Sequence, residues 1–120
     1  MADLNLRLEV IRLMRGFAPD LVLAPRVWDY HPDHRAAAQV VQDASYLLTV
    51  PLVAPDTPHL RQMPVIGLVW DHFTRPVPFA PHVVVDTDPV LAQKLDAAAC
   101  HASQVYEWLP YNHGALAEVP

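Results

Sequence analysis

Pro19-Asp20-Leu21-Val22-Leu23-Ala24-Pro25-Arg26-Val27-Trp28-Asp29-Tyr30-His31-Pro32-Asp33-His34 is the stretch on which the fold turns. Pro19-Asp20 introduces a four-residue apolar run and Pro25 closes it. A short, unbroken apolar run between such punctuation predicts a strand buried on both faces, the form strands take in parallel sheets. Proline is tolerated in the first turn of a helix, so a helix is expected from His31 or Pro32, with Ala37, Val40, Val41, Ala44 and Leu48 as its apolar stripe. Two histidines therefore fall where a strand has ended and a helix begins. In open α/β sheets, ligands bind outside the carboxyl ends of the strands.

Upstream, Leu4, Leu8 and Ile11 recur at helical spacing, with Val10 and Met14 beside them, while Arg7, Arg12 and Arg15 take the other side. Residues 3 to about 15 read as an amphipathic helix with Asp3 as its N-cap and Gly16 as its stop. Downstream, Val65-Ile66-Gly67-Leu68-Val69 and Val83-Val84-Val85 predict two more strands. Asp88-Pro89 predicts a capped helix start, and Leu91, Leu95, Ala98, Ala102, Val105 and Leu109 then form one stripe that should pack along its length. The expected architecture is α/β, three strands and three helices in one domain spanning residues 1–120.

Composition narrows the function classes. The chain has 120 residues, 52% of them hydrophobic and 18% charged, the balance of a globular protein rather than a disordered one. Its net charge is −5 and its eight Lys and Arg are scattered, so the basic patch of a nucleic-acid binder is missing. No apolar run approaches the ~18 residues needed to cross a bilayer, and Met1-Ala2-Asp3-Leu4 has no signal-peptide character, which predicts a soluble, cytoplasmic protein. The single Cys100 sits in a helix-patterned stretch and suits a small packed side chain in a reducing compartment better than a nucleophile. Seven of the 13 prolines fall between Pro51 and Pro81, marking a long extended stretch through which Val65, Ile66, Leu68, Val69, Phe73 and Phe79 run.

The chemistry concentrates in His31-Pro32-Asp33-His34. Scattering seven histidines over this length gives roughly 0.4 His-x-x-His pairs by chance, so the spacing by itself favours two surface histidines beside an aspartate cap. Position adds weight, because residues i and i+3 of a first helical turn project to one side with the Asp33 carboxylate between them in sequence. Imidazole is a common metal ligand, and a carboxylate-imidazole pair is suited to moving protons.

The longer string is what reverses the balance. Pro19 to Pro25, then Asp29-Tyr30-His31-Pro32-Asp33-His34-Arg35, then Asp43-Ala44-Ser45-Tyr46 resembles the second motif region of the PIG-L/LmbE zinc-dependent N-deacetylases, which act on N-acetylglucosamine-type sugars. Lys94 followed by His101-Ala102-Ser103-Gln104 resembles a Lys and His-x-Ser-Gln pattern on a late helix of the same family. The resemblance covers about Leu4 to Trp108. It implies a Rossmann-like layered sheet with flanking helices, His34 as a zinc ligand, His31 as the histidine facing the substrate amide, and Asp33 as the group that orients His31. Family members complete the metal with a His and an Asp from an Ala-His-Pro-Asp-Asp-Glu segment that also supplies the general base. These 120 residues contain no such segment, and Met1 falls where the family is already about halfway through its sheet. The expectation is therefore the carboxy-terminal portion of such an enzyme, inactive alone, whether a fragment, a mispredicted start or half of a split protein.

Other residues keep two readings. Lys94, His101 and Gln104 fall on one side of the last helix, as pocket lining or as buried hydrogen-bonding groups. Asp29 contacts substrate or braces its loop, and Trp28 stacks on a sugar ring or packs. His72, His82 and His113 are singletons of surface type, and the Phe73 to Phe79 stretch suits either a loop over a pocket or a subunit contact in a homo-oligomer. Two function classes remain: a zinc amidase acting on a small amino-sugar substrate, with neither nucleic acid nor membrane as partner, and a non-catalytic α/β interaction module that retains the histidine motif.

Overall fold

The structure, a computed structural model, describes residues 3–119, which form two compact units, one ending at Pro81 and the other beginning at His82. In the first, α1 (Leu4–Phe17) is followed by β1 (Leu21–Ala24), α2 (Pro32–Ser45), a 3-10 turn (Tyr46–Thr49) and β2 (Val65–Leu68). The fold is α/β, with two strands among the described residues rather than three. β1 and β2 pair in parallel, Leu21 opposite Val65 and Ala24 opposite Leu68.

The α1 start is as expected: Asp3 Oδ1 accepts from the Leu6 N–H at 2.8 Å. Its end is not. The helix runs past Gly16, and Ala18 takes the left-handed conformation (φ 50°) while its N–H donates to Met14 O at 2.8 Å. A left-handed cap costs a residue with a Cβ roughly 1–2 kcal/mol, so here the reversal is imposed by the entry of the chain into β1 and not by a glycine.

α1 and α2 close over one core of Ile11, Met14, Ala44, Leu48 and Ala54, with Leu8, Val10, Val22, Leu60 and Ile66 packed against it. Ile11 and Leu48 are fully buried, each stabilising the fold by about 1.5–3 kcal/mol. The α2 stripe is shifted from the expected one: Ala38, Val40 and Ala44 are buried and Ala37 is exposed.

Three expectations need correction in this unit and the next. β1 is covered on one face only. Val22 and Ile66 face the core, whereas Leu21, Leu23 and Val65 on the opposite face are 53%, 64% and 67% exposed. Arg15, placed on the polar side of α1 by its periodicity, is 5% exposed. Its guanidinium donates to six carbonyls, those of Leu47, Leu48, Val50, Val53, Ala54 and Thr57, at 2.6–3.1 Å. A buried charge is tolerated when every donor is used; here the Leu47, Leu48, Val50 and Ala54 carbonyls each also accept a backbone N–H, and the guanidinium adds a second bond to these and supplies the donor for Val53 and Thr57.

The second unit is where the third correction falls. Val83-Val84-Val85 forms no strand and is exposed. The expected long helix is broken into a 3-10 turn (Asp88–Val90), α3 (Leu91–Ala99), a π-type segment (Ser103–Trp108) and α4 (Leu109–Asn112). Asp88 is not a cap; its own N–H is held by Asp86 Oδ1 at 3.0 Å. Pro110 has no N–H to donate to the Tyr106 carbonyl and its ring displaces that carbonyl, which widens the preceding turn. The predicted stripe breaks with the helix: Leu91, Leu95 and Leu109 are exposed, and Val105 alone is partly covered. No described helix is long and apolar enough to cross a membrane.

Candidate active site

The loop between β1 and α2 folds around Asp29, one of three buried polar residues in the described chain. Its Oδ1 accepts from the His31 N–H at 2.8 Å and lies 3.0 Å from His34 Nδ1. Arg35 Nη1 closes the loop from the helix side by donating to the carbonyls of Asp29 and Tyr30, both at 2.8 Å. Loop and first helical turn thus hold each other, and the rings of His31 and His34 stand 4.8 Å apart.

The two imidazoles are fixed in opposite senses. His34 Nδ1 donates to the Asp29 carboxylate, which leaves Nε2 as the ring's lone-pair nitrogen, the arrangement that metal-ligating histidines show when a carboxylate fixes their tautomer. His31 is the N-cap of α2, and its Nδ1 accepts from the Asp33 N–H at 3.2 Å, so in the neutral ring the proton sits on Nε2. The Asp33 carboxylate stands 3.9 Å from His31 Nδ1 with its side chain 90% exposed, beyond hydrogen-bond distance. It is the Asp33 backbone, not its carboxylate, that orients His31. One histidine therefore offers a lone pair and its neighbour an N–H. As a metal site the set is partial: His34 Nε2 fits one ligand, and no group of three His, Cys, Asp or Glu side chains among the described residues is placed to hold an ion.

A wall stands beside the pair. Arg26, directly after β1, is 4% exposed and donates from Nε to Asp71 Oδ2 at 2.6 Å, from Nη1 to Val77 O at 2.9 Å and from Nη2 to Phe73 O at 3.1 Å. Its second bond to Asp71 makes the pair bidentate. The guanidinium also lies 5.7 Å from the Trp28 ring and 5.5 Å from the Phe79 ring. The hydrogen bond from Arg26 holds the Asp71 carboxyl below the ordinary carboxylate range, helped by the Phe73 N–H and opposed by burial; the same bond raises Arg26. Thus the proline-rich stretch after β2 is fastened to the loop that carries the histidines. Between them lies a concavity of about 410 Å³ lined by Trp28, Tyr30, His72, Phe73, Thr74 and Arg75. The Tyr30 ring is 5.8 Å from both imidazoles and 5.7 Å from Phe73.

Of the residues expected in a site, Asp29, His31, Asp33 and His34 come together. Lys94, His101 and Gln104 belong to the second unit, where all three are exposed and none makes a side-chain hydrogen bond among the described residues. A concavity of about 440 Å³ in that unit is lined by Ser103, Glu107, Trp108, Tyr111 and Leu116 and has no imidazole in its wall. Sequence reasoning missed Arg26, Arg35 and Asp71. The only local signal was an arginine placed directly after a strand-ending proline, since its partner is 45 residues away.

No protein-family model matches the chain. Among known proteins it is similar to the diacetylchitobiose deacetylase of Thermococcus kodakarensis, 31% identical over 121 residues that cover 89% of this chain and 42% of that protein. Among solved structures it superposes on the N,N'-diacetylchitobiose deacetylase from Pyrococcus horikoshii complexed with its inhibitor MPG. The TM-score is 0.74 at 21% identity, over 96% of this chain and 44% of that one, which establishes a shared fold. The chain spans less than half the length of either protein.

Proposed function

We propose that the chain is the imidazole-bearing part of a PIG-L/LmbE-type, zinc-dependent deacetylase that removes the acetyl group from an N-acetylated amino sugar or sugar conjugate, and that it is inactive alone. The observation that carries this reading is the opposed fixing of the two rings, a lone pair on His34 Nε2 and an N–H on His31 Nε2, in a loop at the carboxyl end of a parallel strand. The similarity to a diacetylchitobiose deacetylase supports the substrate class.

In this reading residues 1–120 form the second half of a Rossmann-like layered domain, and zinc takes His34 Nε2 as one of its ligands. A catalytic zinc takes three protein ligands and an open position, so two ligands and the general base come from a further segment. Zinc bound there would supply a water acidified to a pKa of about 7 and a polarised acyl carbonyl. This chain's own residues supply the other half of the chemistry. His31 Nε2–H donates a hydrogen bond to the oxygen that gains charge as the amide is attacked, an effect of about 10²–10³ in rate, and the departing amine takes the proton that the general base has removed from the water. Asp29 holds His34, and the Asp33 backbone holds His31. Lys94, His101 and Gln104 are proposed as substrate contacts. The partner is a small amino sugar, with neither nucleic acid nor a membrane involved, in a cytoplasmic enzyme that self-associates.

The test is acetate release from an N-acetylated amino sugar by this chain combined with a polypeptide bearing the Ala-His-Pro-Asp-Asp-Glu ligands. Zinc-dependent release, abolished by His34→Ala, is expected. A reconstituted protein that binds zinc in full and releases no acetate would sink the reading.

A further inference from the structure

The concavity of about 440 Å³ in the second unit is walled by two aromatic rings and a carboxylate. Ser103, Glu107 and Tyr111 recur at steps of four, which keeps them on one side of the helical segment, with Trp108 between the last two. The backbone sets this wall in advance. The turn from Ser103 to Trp108 is of π type, a form that recurs at functional sites. After α4, Gly114 takes φ 70° and the Ala115 N–H donates to Pro110 O at 2.8 Å, a reversal that carries Leu116 back into the wall. Small-molecule sites are concave, largely pre-formed and mostly apolar, with a few polar groups that fix orientation.

The chemistry of the wall selects the ligand. The Trp108 and Tyr111 ring centroids lie 6.1 Å apart with their planes 31° from each other, so one cation can stand within about 6 Å of both. Glu107 makes no hydrogen bond or ion pair among the described residues. An apolar group filling the space would take that carboxylate out of water unpaired, which is unfavourable unless the group brings a positive charge. Residues 82–120 carry five carboxylate side chains and one lysine, so the field around the concavity also favours a cation. A metal ion is not what the wall suits, because one carboxylate supplies too few oxygens and the rings supply none. We propose that this concavity binds an alkylated organic ammonium ion, held against Trp108 and Tyr111 by cation–π attraction and paired with Glu107, with its alkyl groups against Leu116. No imidazole takes part, and the site does not depend on the deacetylase reading.

The 120-residue chain is titrated with choline and with dimethylbutanol, the neutral isostere in which carbon replaces the nitrogen. The indole N–H resonances of Trp28, Trp70 and Trp108 are followed by NMR, each assigned by its absence when that tryptophan is replaced. Choline is expected to shift the Trp108 resonance and to bind about tenfold more tightly than the isostere. Ethanolamine, whose bare ammonium is strongly hydrated, should bind more weakly than choline. Tyr111→Leu should weaken choline binding about two- to fivefold, the loss of one ring. Glu107→Gln should weaken it as well and remove most of its dependence on salt. Both side chains are exposed, so the variants should keep the fold, which circular dichroism checks, and the comparison of choline with its isostere needs no variant at all. Equal binding of choline and isostere, or shifts confined to Trp28 and Trp70, overturns the site. A choline affinity that neither variant changes, or that ethanolamine matches, overturns it too.

Discussion

Asp29 Oδ1 does two things at once: it accepts from the His31 N–H, bracing the loop, and holds the His34 ring through Nδ1. The consequence for metal binding is direct. Titrated with zinc against a competing chelator, the isolated chain should bind weakly; His34→Ala should remove that binding, and Asp29→Ala should weaken it by roughly 10- to 100-fold, as loss of a carboxylate behind a metal-bound imidazole does. A tight one-to-one complex would contradict the single-ligand assignment. At the same scale, Ala18 bears a left-handed backbone with a Cβ (φ 50°). Ala18→Gly relieves that strain of roughly 1–2 kcal/mol but gives the unfolded chain more freedom, about 0.4–1 kcal/mol, so a net gain of about 0.5–1 kcal/mol is expected in urea melts. No gain would mean that the turn is unstrained.

Two arginines decide the behaviour of whole elements. Arg15 joins α1 to six carbonyls of the segment from Leu47 to Thr57. Arg15→Met removes every donor and leaves the Val53 and Thr57 carbonyls unmatched while the other four keep a backbone N–H, so a loss of about 2 kcal/mol or more is expected by chemical denaturation. Arg15→Lys should recover little of it, because three donors on a flexible stem do not span six acceptors. A loss below about 1 kcal/mol would show that water takes over the carbonyls. Arg26 fastens the segment from Asp71 to Val77 to the loop after β1, and its partner's lowered pKa gives the contact a pH dependence. A carboxyl held below its unfolded value of about 3.9 contributes stability that is fully present above that value and is lost as pH falls through the folded one. Trp28 fluorescence should therefore hold steady from neutral pH to about 4 and change below it, and Asp71→Asn should abolish that acid step. A change centred well above pH 4 would assign the transition to another group. Neither arginine was legible in the sequence as an anchor. A period of 3.6 residues places Arg15 on the polar side of α1, and nothing within a helical turn announces a loop, more than 30 residues on, whose carbonyls need a donor.

For the molecule as a whole, the open face of the two-stranded sheet matters most. Leu21, Leu23 and Val65 share it, and Gly67 between them is so close to Leu23 that an added Cβ would lie 2.9 Å from Leu23 Cδ2. Parallel sheets are normally covered on both faces, and contiguous apolar patches beyond a few hundred Å² are rare on monomers. Size-exclusion chromatography should show concentration-dependent self-association, which Leu23→Lys reduces without lowering the melting temperature; a monodisperse monomer at high concentration would overturn this. Along the apolar stripe of the first helix, Leu4 is open, Leu8 is half-buried and Ile11 is fully buried. By itself the sequence determined β1 and β2 and the starts of α1 and α2 to within a residue, though not the helix ends, and the position of the histidine pair between a strand and a helix, because capping, proline placement and apolar periodicity act within a few residues. Tertiary structure alone decided the rest. An apolar run states that a face should be covered and not whether a layer lies over it, so β1 is bare on one side and Val83 to Val85 forms no strand. Arg15, Arg26 and Asp71 took their roles from partners 32 to 51 residues away, and only the folded chain brings such groups within hydrogen-bond distance.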